Sequence, residues 1–191
     1  MKVITAATVA MLAFTVAVPR AEAHVVPPPV PANLEVSDRP FLIGHAFGTQ
    51  NYVCLLGNSG FAWTFFGPQA TLFNDEGRQV ITHFLSANPD ENGTLRATWQ
   101  QSHDTSAVWA LAVATSTDAA YVQADAIPWL KLQVVGSEDG PTGGAALSRT
   151  TFVQRVNTRG GIAPAAGGCS QAADIGKKAL VPYTADYVFY R

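Results

Sequence analysis

The sequence predicts an all-β protein, an antiparallel β-sandwich or jelly-roll-like barrel with one or two short helices. Three observations carry that prediction. Short apolar runs recur from Phe41 to Tyr190, several of them alternating with a period of two. Clusters of Gly, Pro, Asn and Asp separate the runs at turn-like intervals. A helical period is plausible only near Thr117–Asp125 and Ser170–Asp174.

In chain order, the first candidate strands are Phe41–Phe47 and Asn51–Leu56, both rich in aromatic and branched residues. Gly57-Asn58-Ser59-Gly60 reads as a hairpin turn into Ala62–Phe66. Gly67-Pro68 reads as a further turn before Ala70–Phe73, and Asp75-Glu76-Gly77 as another before Gln79–Leu85. The loop Asn88 to Gly93 leads to Leu95–Gln100, where Leu95, Ala97 and Trp99 share one face. Ala107–Thr115 alternates Trp109, Leu111 and Val113 with small residues, a pattern suited to a strand covered on both faces. Trp129–Val135, Ser148–Val156 and Tyr183–Tyr190 complete the set, the last placing Tyr183, Ala185, Tyr187 and Phe189 on one face.

The amino terminus reads differently. Lys2 precedes an apolar run to Val18, Pro19 breaks it, and Ala21-Glu22-Ala23 fits a small-x-small cleavage site. Residues 1–23 are therefore expected to be a signal peptide, 24–33 a proline-rich extension and 34–191 a single β domain. No later run is as long and apolar, so no integral membrane segment is expected after cleavage. The expected location is secreted, extracellular or periplasmic. In such a compartment the two cysteines, Cys54 and Cys169, predict one disulfide, with two separate buried thiols as the alternative. Lys plus Arg number 12 against 14 Asp plus Glu, without a basic run, which argues against a nucleic-acid partner.

The most distinctive stretch is QRVNTRGG, Gln154 to Gly161, followed by the closing YTADYVFY, Tyr183 to Tyr190. Arg155 is costly to bury alone, and Asp186 is its expected partner in a structural ion pair. With VPANL (Val30–Leu34), GTQNYVC (Gly48–Cys54), Trp63 to Pro68, His83-Phe84, Trp99 before Asp104-Thr105-Ser106 and IPWL (Ile127–Leu130), these motifs resemble the secreted domain-of-unknown-function family 3455. The resemblance spans about Val30 to Tyr190 and implies a compact exported β domain without an established activity. Here Ala87–Arg96 is an extra stretch between His83 and Trp99, and His103 stands before the Asp.

Fungal members of that family are sometimes labelled malate dehydrogenase, but this chain has no GxGxxG opening a helix and no βαβ alternation. NAD chemistry is rejected, and no cofactor is expected. The four histidines, His24, His45, His83 and His103, lack metal-motif spacing. Cleavage after Ala23 would expose His24, whose amine and ring nitrogen form the pair used by exported copper proteins; an ordinary solvated His is the competing reading. His83, Asp104 and Ser106 make a scattered nucleophile triplet without a GxSxG. Asp75/Glu76, Asp90/Glu91 and Glu138/Asp139 sit in turn sequences, which suits solvated residues better than a glycosidase pair. Asn92-Gly93-Thr94 matches an N-glycosylation acceptor.

His83, Trp99, Asp104, Arg155 and Asn157 are the candidate binding residues, mixing ring, acid and base as a small-ligand pocket does. The expected function is non-enzymatic binding of a small molecule or surface polysaccharide. The alternative is an extracellular enzyme on the same scaffold, a copper oxidase using His24 or a hydrolase.

Overall fold

The period-two runs close on themselves. A computed structural model describes residues 25–191, which form eight antiparallel strands: β1 (Pro40–Gly57), β2 (Gly60–Phe73), β3 (Gln79–Asn88), β4 (Thr94–Gln101), β5 (Ala107–Ser116), β6 (Trp129–Glu138), β7 (Phe152–Gly160) and β8 (Lys178–Tyr190). Each strand pairs with its sequence neighbour, and β8 returns to β1 to close a barrel. The order is a simple meander, so the barrel half of the expectation holds and jelly-roll crossovers are not used.

Ten expected strands become eight because two apparent breaks lie inside strands. Phe41–Phe47 and Asn51–Leu56 are one strand, β1, and Ala62–Phe66 and Ala70–Phe73 are one strand, β2. Gly67-Pro68 marks a bulge: Asn51 pairs with Gly67 and Tyr52 with Phe65, leaving Phe66 over. Gly67 has φ +153° there, and Pro68 sits just where the β2–β3 ladder stops at Ala70, an edge position that tolerates a missing N–H. Gly48 in β1 is needed for close approach, since a Cβ would fall 2.1 Å from the Gln69 carbonyl oxygen.

The other boundaries move for local reasons. Ser148–Thr150 forms a turn, with Thr150 donating from both N–H and hydroxyl to the Leu147 carbonyl, so β7 begins later than expected. Residues 117–125 make turns rather than a helix: Asp118 accepts the Ala120 N–H on its side chain, an alternative to helical bonding. Near Ser170–Asp174 there is only a 3-10 turn, Ala172–Asp174. No helix among the described residues is long and apolar enough to cross a membrane.

Inward side chains fill one end of the barrel. Ile81, Val108, Val153, Leu147 and Phe189 are fully buried, with the Trp99 ring edge-on to Phe189 at 6.3 Å between centroids. Outside β7 and β8 lies a second cluster of Leu34, Val122, Trp129, Val156, Val188 and Tyr190. Here buried Gln154 donates to the Leu34 carbonyl and accepts from the Tyr190 hydroxyl, which pins the N-terminal segment to the wall. The disulfide joins Cys54 in β1 to Cys169, with 5.4 Å between their Cα atoms, as the cysteine count predicts.

Candidate functional site

At the other end the strands part. The β2–β3 ladder ends at Ala70 opposite His83, and the β4–β5 ladder ends at Ala97 opposite Ala110. Beyond those pairs the barrel holds a cavity of about 380 Å³. Its walls are the inward residues Leu85, Leu95, Ala97, Ala112, Leu130 and Leu132, with Phe65 and Pro68 from the bulged part of β2. Strand parity builds this lining: Leu95, Ala97 and Trp99 face in together, as their alternation predicts.

The polar floor consists of Gln50, His83, Trp99, Arg155 and Tyr187. His83 and Trp99 sit opposite each other across the β3–β4 ladder, and their rings stack at 4.3 Å and 8°. His83 Nδ1 lies 2.8 Å from the Thr98 carbonyl oxygen. Burial drives its pKa down to about 3; the Thr98 bond opposes that shift, and the Arg155 charge adds to it. The ring is therefore neutral at ordinary pH, with the proton on Nδ1 and Nε2 left as the acceptor nitrogen. Burial likewise raises the Tyr187 hydroxyl, partly offset by Arg155. That hydroxyl lies 3.2 Å from the Tyr183 hydroxyl.

Two guanidiniums border the cavity and differ in their partners. Arg96 grips Glu91 with both arms, Nε and Nη2 each at 2.7 Å, and this holds Glu91 down to about 2. Half-buried Arg155 sends Nε and Nη2 to one carbonyl, that of Pro128, at 3.2 and 2.9 Å. The expected pair with Asp186 is not made. Arg155 stands opposite Tyr187, and Asp186 opposite Val156, so a one-residue offset puts the acid on the other face of the sheet. Asp186 instead bonds His45 Nδ1 at 2.7 Å and accepts from Asn157 Nδ2 at 2.7 Å.

Of the five expected binding residues, His83, Trp99 and Arg155 converge, while Asp104 and Asn157 lie elsewhere. Asp104 organises a loop, accepting from the Ser106 N–H and hydroxyl and from the Ala146 N–H. Burial pushes its carboxyl up, but these bonds outweigh it and leave the pKa lowered. Ser106 thus donates to Asp104 and accepts from the Leu147 N–H, while His83 is held at Thr98. The nucleophile triplet is not assembled. Asn157, in a left-handed conformation at φ 52°, lines an exterior hollow of about 620 Å³ with His45, Tyr121, Trp129, Arg159 and Asp186. His24 lies outside the described residues. No group of three or more metal-binding side chains occurs among the described residues. Gln50 and Tyr187 were missed as floor residues, although Tyr187 shares the predicted inward face of β8.

The fold and the cavity define a meander β-barrel, packed at one end and hollow at the other. A family model described as a protein of unknown function, DUF3455, matches residues 36–191, and the chain belongs to that family. No curated protein and no solved structure matches the chain.

Proposed function

We propose that this is an exported, non-enzymatic binding protein that takes a small, partly apolar molecule into the open end of its barrel. One observation carries the reading: the cavity has apolar walls above a few convergent polar groups, the usual make-up of a small-molecule site. Its volume, about 380 Å³, is near the lower end of the range for such sites, roughly 300–1,000 Å³. A pit of this size, floored by buried His83, Trp99 and Tyr187 and open at the strand ends, suits a discrete molecule better than a polysaccharide chain, which needs a groove that runs through.

The neutral fluorescent probe N-phenyl-1-naphthylamine tests this. It should bind saturably at one site per chain, with enhanced emission. Exposed Ala112 lines the opening, so Ala112→Trp should obstruct it without repacking the core and should weaken binding at least tenfold. No saturable binding to the folded protein, or unchanged affinity in Ala112→Trp, would overturn the reading.

A further inference from the structure

The floor of the cavity narrows the chemistry of the ligand; this step rests on the binding reading above. Of the two guanidiniums at the cavity, Arg96 is neutralised by Glu91. Arg155 makes no salt bridge among the described residues: Nε and Nη2 donate to the Pro128 carbonyl, and the guanidinium also faces the neutral Tyr187 hydroxyl. A guanidinium has five N–H donors, so one carbonyl and one hydroxyl leave part of the fork unmet. The groups around Arg155 do not balance its charge. His83 is neutral above about pH 3, and burial holds Tyr52, Tyr183 and Tyr187 in their protonated, uncharged forms.

Beside the neutral acceptor nitrogen of His83, two further floor groups are donors. Gln50 is 2% exposed and Trp99 0%, and both line the cavity. Trp99 Nε1 is buried without a hydrogen-bond partner, and Gln50 Nε2, which faces the Tyr183 hydroxyl, lacks a well-formed one. Each is a donor whose positive end is not fully compensated, a costly state for a buried group. The floor therefore combines a cation that no acid balances with under-satisfied N–H donors, and lacks a carboxylate. Above it, Leu85, Leu95, Leu130 and Leu132 offer only hydrocarbon.

We propose that the ligand is a small monocarboxylate whose headgroup accepts hydrogen bonds from the free side of the Arg155 fork, with its hydrocarbon part against the leucine walls. A single guanidinium matches one carboxylate in charge and in its two-oxygen geometry.

Competition against bound N-phenyl-1-naphthylamine decides it, using octanoate, octanol and octylamine as chain-matched competitors. Octanoate should displace the probe at a concentration at least tenfold below that needed for octanol, and octylamine should be the weakest. Arg155→Gln should bring octanoate to the octanol level while probe binding persists, and Arg155→Lys should restore part of the preference. Octanol competing as well as octanoate against the unmodified protein would overturn the proposal, whether or not the variants fold. Folded Arg155→Gln that keeps the full preference would overturn it too. Failure of the probe itself to bind defeats the cavity reading, whereas probe binding without a carboxylate preference defeats only the charge assignment.

Discussion

Lowering the pH from 7 to 4.5 should destabilise the protein through His83. In the unfolded chain this imidazole takes up a proton near its ordinary pKa of 6.5, whereas burial holds the folded value at about 3. Between those values the unfolded state binds more protons, so stability falls as pH falls. Each pH unit in that window costs at most about 1.4 kcal/mol. At pH 4.5, about two units below the unfolded pKa, the loss from this residue is roughly 2–3 kcal/mol. His83→Phe removes the titration and keeps an aromatic ring against Trp99. Near pH 7 that variant should be weaker than the parent by about 1–3 kcal/mol, the cost of stranding the Thr98 carbonyl. Near pH 4.5 the two should be nearly equal. Urea unfolding followed by tryptophan fluorescence measures both, and the other titrating groups cancel in the comparison. Parallel stability–pH curves for parent and variant would refute the reasoning.

His45 should show the opposite dependence. Hydrogen bonds to Asp75 and Asp186 raise its pKa, so its stabilising effect is complete below pH 6.5 and is lost as pH rises through the higher folded value; NMR titration should find that pKa above 6.5, and Asp186→Asn should lower it. Arg155→Met and Asp186→Leu should have additive effects on stability within about 0.5 kcal/mol, because the two side chains lie on opposite faces; a rescue of one by the other in thermal unfolding would contradict the register. For the amino terminus, cleavage between Ala23 and His24 is proposed. The intact mass of exported protein checks it, and copper affinity unchanged by His24→Ala would remove the metal reading.

Alternation was the legible part of this fold. Leu95, Ala97 and Trp99, and likewise Tyr183, Ala185, Tyr187 and Phe189, point inward as their spacing predicts. Gly67-Pro68 was misread because bulges and turns use the same residue types, and only the partner strand distinguishes them. Register was the other limit. Arg155 and Asp186 are near neighbours across β7 and β8, but one residue of offset decides which face each occupies, and that offset depends on the bulged end of the ladder between Val156 and Arg159. The same holds for the site. His83 and Trp99 could be nominated as unusual residues, but their stacking needs the β3–β4 register, with the hairpin turn set by Asn88 to Gly93. Gln50 carried no distinguishing signal: polar and embedded between strands, it reads as a solvent-facing residue until the barrel closes around it.

The seam where β8 meets β1 has a consequence for how the barrel is made. Every other ladder joins neighbours in sequence and forms by local zippering, whereas this one pairs Pro40 with Tyr190 and Val53 with Lys178. Pairings so distant in sequence are intrinsically slow to form, because the chain between them must be closed before the contact is gained. Cys54 stands at one end of the seam, its N–H donating to the Lys177 carbonyl and its carbonyl accepting from the Gly176 N–H. A covalent tie from that point to Cys169, across 115 positions of chain, turns a distant encounter into a short loop closure. Oxidised chains should therefore refold faster than reduced ones, with the gain confined to the step that brings the last strand against the first.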